Sequence, residues 1–198
     1  MQPYSTDLLL NSCENRIEMI LKKISEWQTN EESLLNYSVN EDSWSATQCL
    51  SHLNSYGKYY LPAIGTAIEK NKKTQASSAF KSSWLGNYFY HLMLPEASNK
   101  KIKKMRSPKE HQPLKNANAA AVVAEFIDQC EKLLQLLKTA KTINISTAKV
   151  PISIAKFIKL QLGDVFLFLI AHIERHILQA EKMMALAVDP IRIKNVEV

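Results

Sequence analysis

The stretch LGDVFLFLIAHIERHILQ (162–179) combines a strongly apolar helical segment with two histidines four residues apart. Positions i and i+4 lie on the same face of an α-helix, with Cβ atoms roughly 5–6 Å apart. His172 and His176 therefore share one face, and two imidazoles placed in this way can bind one metal ion. The spacing alone is equally consistent with two exposed or hydrogen-bonded histidines, so the interpretation depends on a third ligand elsewhere in the chain.

Apolar residues at three- and four-residue spacing predict four long amphipathic helices. Their predicted ranges are 5–27, with Ser5, Thr6 or Asp7 as the N-cap; about Ser43 or Ser45 to residue 70, with a kink or an interruption at Pro62; about Asn116 or Asn118 to Lys141; and about Leu160 or Asp164 to Leu186. The sequence therefore predicts an all-α fold, in which residues 1–198 form a single four-helix-bundle domain with a long connection between helices 2 and 3.

The long connection begins with an aromatic segment at residues 80–95, which predicts a short helix. Its residues Trp84, Tyr88 and Phe89 are expected to cover the core, and lining the mouth of a pocket is the alternative. The basic, proline-containing stretch after it predicts an extended connection. Residues 142–151 predict a loop or a short extended piece, and the tail 189–198 predicts a short strand or disorder.

The composition is that of a soluble globular protein, with 198 residues, 46% of them hydrophobic and 22% charged. Much of the net charge of +6 lies in residues 71–73 and 99–109, which are expected to be solvated connections without a nucleic-acid-binding signature. Cys13 and Cys130 lie among apolar helical positions and are expected to be reduced core residues. No signal peptide is evident, and the apolar run 165–171 is too short to span a bilayer. We therefore expect a cytoplasmic protein without membrane or nucleic-acid partners.

Two well-known metal motifs are excluded by spacing. The metalloprotease motif HExxH places its glutamate directly after the first histidine, whereas Glu174 lies two positions after His172. A two-residue step turns about 200° around the helix axis, so Glu174 is expected to be a surface charge or a partner of another helix. The carboxylate-bridged di-iron bundles need paired ExxH motifs, and the chain contains none.

The candidates for a third ligand are His52, His91 and His111. His111 lies in the proline-flanked basic stretch and is expected to be solvated, and His91 in the aromatic segment is expected to have a structural role. His52 has Cys49 and Tyr56 as helical neighbours, which indicates an inward or boundary face. A lone inward histidine is more often a core residue, but an HxxxH helix facing it favours a shared metal site.

Two motifs resemble the DinB-like (DinB/YfiT) superfamily of metal-dependent enzymes: W-S-A-x-Q-x-L-x-H-L at 44–53 and L-G-D-V-F-x-F-L-I-A-H-I-E-R-H-I-L-Q at 162–179. The order of the helices around them extends the resemblance over nearly the whole chain. It implies a bundle in up-down-down-up order and a divalent metal site formed by His52, His172 and His176. It also implies zinc or nickel as the ion, with manganese or iron as further candidates, and a homodimer.

The same resemblance implies a chemistry, because the superfamily includes transferases of low-molecular-weight thiols and thiol-dependent isomerases. We expect a thiol (S-)transferase or a hydrolase acting on a small molecule. Three imidazoles leave one coordination position open, where an ion could favour ionisation of water or of a thiol. No catalytic residue is fixed, and Tyr56 and Gln179, one turn beyond His52 and His176, are weak candidates with packing as the alternative. A non-catalytic metal-binding or stress-related interaction protein is the main rival, and a nucleic-acid binder using residues 99–109 is the second.

Overall fold

The computed structural model describes residues 3–94, 107–114 and 116–188. Its helices within these ranges are α1 (Thr6–Trp27), α2 (Glu32–Leu35), α3 (Ala46–Asn71), α4 (Trp84–Met93), α5 (Ala119–Ala140) and α6 (Leu162–Val188). Four short strands form two antiparallel pairs, β1 (Tyr4–Ser5) with β2 (Ala79–Phe80) and β3 (Lys149–Ile152) with β4 (Ala155–Gln161). The protein is mostly helical, as predicted, with two small sheets added. The predictions for residues 99–106 and 189–198 lie outside the described residues.

Side-chain caps explain where three of the long helices begin. The Ser5 hydroxyl accepts the Leu8 amide at the start of α1, and Asn118 accepts an amide at the start of α5. Ser45 and Gln48 form a reciprocal capping box at the start of α3. These starts confirm the sequence predictions. Of the two outcomes predicted at Pro62, a kink or an interruption, the interruption is wrong: α3 continues through Pro62, and buried apolar side chains on both sides of it hold the helix against the core.

Contacts between helices set their relative directions. Arg16 of α1 forms an ion pair with Glu174 of α6. Two turns further along both helices, Lys23 forms an ion pair with Glu181, so α1 and α6 run parallel. The helices α3 and α5 are also parallel, because their contacts advance together: Asn54 with Val122, and Lys58 with Glu125. Parallel neighbours need a long crossover, and residues 72–118 provide it.

The helix α6 is the most buried element, since nearly every residue from Leu162 to Ile173 is shielded from solvent. The short helix α4 covers it. The fully buried Asp164 accepts hydrogen bonds from the hydroxyls of Ser82 and Ser83 and from the Ser83 amide, which ties the start of α4 to the start of α6. None of the helices in the described ranges has the length and apolarity needed to cross a bilayer.

The three cysteines, Cys13, Cys49 and Cys130, are buried free thiols, as predicted for Cys13 and Cys130. Burial raises the pKa of each thiol to about 12. The thiols therefore stay protonated at neutral pH and behave as small core side chains.

Candidate metal centre

Three histidines from two helices converge in the core. His52 lies on α3, and His172 and His176 lie one turn apart on α6, which faces it. One ring nitrogen from each side chain lies within 4.8 Å of the other two. All three residues are buried, with 3%, 4% and 8% of their surface exposed. This cluster could hold a metal ion, and it brings together the same three histidines that the sequence motifs single out.

The outer hydrogen bonds of two of these histidines fix their tautomers. The Nδ1 atom of His52 lies 2.6 Å from the main-chain carbonyl oxygen of His111, which can only accept. The Nδ1 atom of His176 lies 3.0 Å from the side-chain oxygen Oε1 of Gln179. In His52 Nδ1 must therefore carry the hydrogen while Nε2 keeps its lone pair, and the orientation of the Gln179 amide favours the same tautomer in His176. Metal-ligating histidines commonly donate their other N–H to such acceptors.

The spacing of one nitrogen pair in the cluster matches that around a tetrahedral ion. The Nε2 atoms of His52 and His172 lie 3.2 Å apart. Bonds of roughly 2.0–2.1 Å to a tetrahedral zinc ion would separate two ligand nitrogens by about 3.3 Å. The donor set of three neutral imidazoles is also one that zinc and nickel accept. The residues present therefore fit a divalent ion at this position.

Burial keeps these imidazoles neutral. It lowers the pKa of His52 to about 4 and that of His176 to about 3. The pKa of His172 also falls well below its ordinary value, first through burial and then through the neighbouring imidazoles. At neutral pH the three rings are therefore uncharged, which is the state of histidine that binds metal.

Aromatic rings enclose the cluster. The Trp44 ring lies 4.9 Å from the His52 ring and 5.8 Å from the His176 ring, measured between centroids. The Tyr56 ring packs edge-on against His172 at 4.5 Å. Burial raises the pKa of the Tyr56 phenol, so this group stays protonated and is a poor proton acceptor. Tyr56 thus lies at the site, as the sequence suggested, but in a state that favours packing or hydrogen-bond donation.

The prediction that His111 is solvated is wrong. It lies in the segment Ser107–Leu114, which we call the strap and which packs along α3. Only 6% of His111 is exposed, and its ring stacks on Tyr56 at 3.8 Å. Its Nδ1 atom lies 2.9 Å from the Ser55 hydroxyl, and the Leu114 amide at the end of the strap donates to the Ser51 hydroxyl. Hydrogen bonds to Ser51 and Ser55, one turn apart on α3, therefore hold the strap beside the three histidines.

The strap supplies what the sequence analysis missed, because its carbonyl at His111 is the acceptor that orients His52. A main-chain carbonyl leaves no mark in a sequence. The available signal was the serine pair Ser51 and Ser55 on the polar side of α3, one turn apart and next to His52.

The remaining sequence candidates lie away from the cluster. His91 is exposed on α4 and does not join the other histidines. Glu174 forms a two-bond ion pair with Arg16 of α1, at 2.5 and 2.6 Å, which confirms its prediction as a partner of another helix. Phe89 packs against the core as predicted, whereas Trp84 and Tyr88 are exposed, so covering the core is wrong for these two.

A polar cavity of about 570 Å³ lies near the start of α3 and α5, where Ser45, Gln48 and Asn118 line it. None of the three clustered histidines contributes to its lining. This cavity is therefore separate from the candidate metal centre.

The chain matches the model of a known protein family. The family model of the DinB superfamily matches residues 9–180, which include all three clustered histidines. No curated protein and no solved structure matches the chain.

Proposed function

The chain belongs to the DinB superfamily, and from this premise we propose that it is a metal-dependent enzyme whose divalent ion is held by His52, His172 and His176. One observation carries the proposal: three buried histidines from two helices bring ring nitrogens within 4.8 Å of one another. Buried polar groups are costly to leave without a partner, so a cluster of neutral imidazoles facing one another favours a shared ligand.

The proposal includes the fold type of the family, a single domain over residues 1–198 with helices in up-down-down-up order. The parallel pairs α1–α6 and α3–α5 support this order. An antiparallel arrangement of α3 and α6 supports it too, since His52 contacts His172 while Tyr60, two turns further along α3, contacts Phe168, which precedes His172 on α6.

Zinc or nickel is the proposed ion, because both accept imidazole ligands, and manganese or iron would be alternatives. Such an ion supplies Lewis acidity, which favours the ionised form of a water or a thiol at its open position. We propose thiol transfer or hydrolysis on a small molecule, with a low-molecular-weight thiol as the co-substrate of the first reaction. The homodimer stays a prediction from the family resemblance, and the cytoplasmic location stays a prediction from the sequence alone.

The protein's own groups would orient the ligands and exclude water. The His111 carbonyl and the Gln179 side chain each accept an N–H from a ligating ring, which keeps the Nε2 lone pairs of His52 and His176 aimed inward. Trp44 and Tyr56 form an apolar wall around the rings. Gln179 is therefore a positioning residue in this proposal.

A second candidate function is metal binding without catalysis. The burial of all three histidines favours it, because a substrate must reach the ion past Trp44, Tyr56 or the strap. The two functions can be distinguished by experiment. Only the enzyme would turn over an electrophile with a thiol, and it needs solvent to exchange at the ion.

The test of the metal site is the metal content per chain, measured by inductively coupled plasma mass spectrometry on protein purified without a tag or a nickel column. We expect near-stoichiometric metal in the unaltered protein and none in His52→Ala or His176→Ala. His91→Ala is the matched control, since this exposed histidine lies outside the cluster and should leave the content unchanged. Metal retained in both cluster variants would refute the site. A screen of thiols and electrophiles on metal-loaded protein then separates the enzyme from the metal-binding protein.

A further inference from the structure

The hairpin β3–β4 carries two large apolar side chains that the fold leaves in solvent. Ile154 in the turn is 60% exposed, and Phe157 on β4 is 87% exposed. The two residues lie three positions apart at the turn of the hairpin, and exposed apolar groups that form one patch usually mark an interaction site. The pair is therefore a candidate contact surface.

Side chains along the hairpin point alternately to its inner and outer sides, and this alternation explains why Phe157 is exposed. Val150, Ile152 and Leu160 are buried on the inner side of the hairpin. Because successive side chains in a strand point to opposite faces, Phe157 and Lys159 lie on the outer side. The inner side already provides the packing that holds the hairpin on α3 and α6, so Phe157 contributes nothing to the core.

The hairpin is also basic. Lys149, Lys156 and Lys159 are exposed, and none of them takes part in an ion pair described for residues 3–94, 107–114 or 116–188. The sequence has no aspartate or glutamate between residues 132 and 163. The apolar tip is therefore flanked by cations, without acidic side chains on the hairpin itself to neutralise them.

The neighbouring helix α4, which contacts β4, adds two exposed aromatic residues. Trp84 is 80% exposed and Tyr88 is 53% exposed, and their rings stack at 6.3 Å. Tryptophan and tyrosine are enriched where one end of a side chain is apolar and the other is wet, as at a membrane interface. Lys149 pairs with Gln161 and therefore lies on the same outer side as Phe157 and Lys159. We call Ile154, Phe157, Trp84, Tyr88, Lys149 and Lys159 the hairpin–α4 surface.

We propose that the hairpin–α4 surface binds the surface of an anionic phospholipid bilayer. Ile154 and Phe157 enter the boundary between headgroups and acyl chains, and Trp84 and Tyr88 lie at the headgroup level. The lysines contact anionic headgroups, each adding an electrostatic attraction that salt screens. Binding of this kind needs no membrane-spanning segment. It differs from the expectation in the sequence analysis that the protein has no membrane partner, which rested on the lack of a segment long enough to span a bilayer.

The chemistry of the surface favours a bilayer over the other occupants. A second copy packed on the same patch would bring two lysine sets of like charge together, which is destabilising. Single-stranded nucleic acid uses ring faces for base stacking and arginine for stacking and bidentate contacts. Here the tip includes the aliphatic Ile154, and the hairpin cations are all lysine.

The test is co-sedimentation of the full chain with vesicles of phosphatidylcholine, alone or mixed with phosphatidylglycerol. We expect binding only to the anionic vesicles, weakened by salt. The variant Ile154→Ser/Phe157→Ser should lower the partition coefficient at least tenfold, because it removes both apolar contacts. Met19→Ser is its matched control, since Met19 is 72% exposed on α1, outside the surface. The variant Lys149→Gln/Lys159→Gln should lower the partition coefficient about fivefold for each lysine.

The charge-matched control is Lys132→Gln/Lys138→Gln, which removes the same two charges from exposed positions on α5 and should leave binding nearly unchanged. Brominated lipid should quench the tryptophan emission of the unaltered protein. Most of this quenching should be absent in Trp84→Leu. Absence of binding to anionic vesicles would overturn the proposal. Equal losses of vesicle binding in the surface variants and in the control variants would overturn it too. Vesicle-independent binding of single-stranded DNA, or a dimer that the hairpin variants dissociate, would assign the surface to that occupant and overturn the proposal as well.

Discussion

Acidification should destabilise the metal-free protein through the three clustered histidines. In an unfolded chain each imidazole takes up a proton below about pH 6.5. In the folded protein His52 does so only near a pKa of about 4 and His176 near about 3, and the pKa of His172 is also lowered well below its ordinary value. Between these values the unfolded chain binds more protons. Stability is therefore fully present above the unfolded pKa and falls as the pH is lowered through this window.

The magnitude at pH 5 does not depend on the exact folded pKa values, provided that they lie below that pH. Each buried imidazole then costs about 2 kcal/mol of the free energy of unfolding, because pH 5 is roughly 1.5 units below the unfolded pKa and each unit is worth about 1.36 kcal/mol. Three imidazoles give a loss of about 6 kcal/mol, which is comparable to the whole stability of many domains. Burial also lowers the pKa of His111, which adds to the loss.

The assay is urea unfolding of chelator-treated protein at pH 7, 6 and 5, followed by circular dichroism. His172→Leu is the informative variant, since the Nδ1 atom of His172 has no hydrogen-bond partner among the described residues, so that only the contact of its Nε2 atom with His52 is lost. It should reduce the pH-dependent loss by about one third, whereas His91→Gln, at an exposed site on α4, should leave the loss unchanged. The reasoning would be refuted if the free energy of unfolding of the unaltered protein fell by less than about 2 kcal/mol between pH 7 and pH 5. Such a result would show that the imidazoles take up protons in the folded protein at nearly their ordinary pKa.

Two further variants test positions next to the site. Gln179→Ala removes the acceptor of the His176 N–H and should weaken metal affinity about 10–100-fold in competition with a chromophoric chelator, with little change in helicity. An unchanged affinity would mean that Gln179 does not position His176. Gly57→Ala would place a Cβ atom against Oε1 of Gln129, so that side chain must move and give up its hydrogen bonds to Asn54 and Glu125. The change should lower stability by about 1 kcal/mol in urea unfolding, because the better helix propensity of alanine offsets part of this loss. In a Gln129→Ala background the same change should cost much less, and an equal cost there would contradict the steric explanation.

The sequence predicted the long helices well, because each has a cap and an apolar stripe that act locally. Ser45 with Gln48 and Asn118 mark two of the starts, and the predicted ranges agree with α3 and α5 to within a few residues. The grouping of His52 with His172 and His176 was also predictable, since the HxxxH spacing is local and the family motif supplies the third histidine.

The strand β4 and the strap were missed for different physical reasons. Residues 155–161 alternate between inner side chains such as Leu160 and outer ones such as Phe157, which is a strand pattern, but the apolar run of α6 follows without a break. The burial of His111 depends on Ser55 and Tyr56, which lie more than 50 residues earlier in the chain. No local pattern around His111 encodes those contacts, so only the assembled tertiary structure reveals them.

With the proposed ion, the separation of the histidines along the chain would link metal supply to the stability of the fold. His52 and His172 are 120 residues apart, so the complete ligand set exists only after α3 and α6 have come together. An ion bound there therefore stabilises the native chain and has little affinity for the unfolded one. At a free concentration 100 times its dissociation constant, it would add about 2.7 kcal/mol to stability. Scarcity of the ion would then shorten the lifetime of the protein against proteases, so its abundance would follow the availability of metal even at constant synthesis.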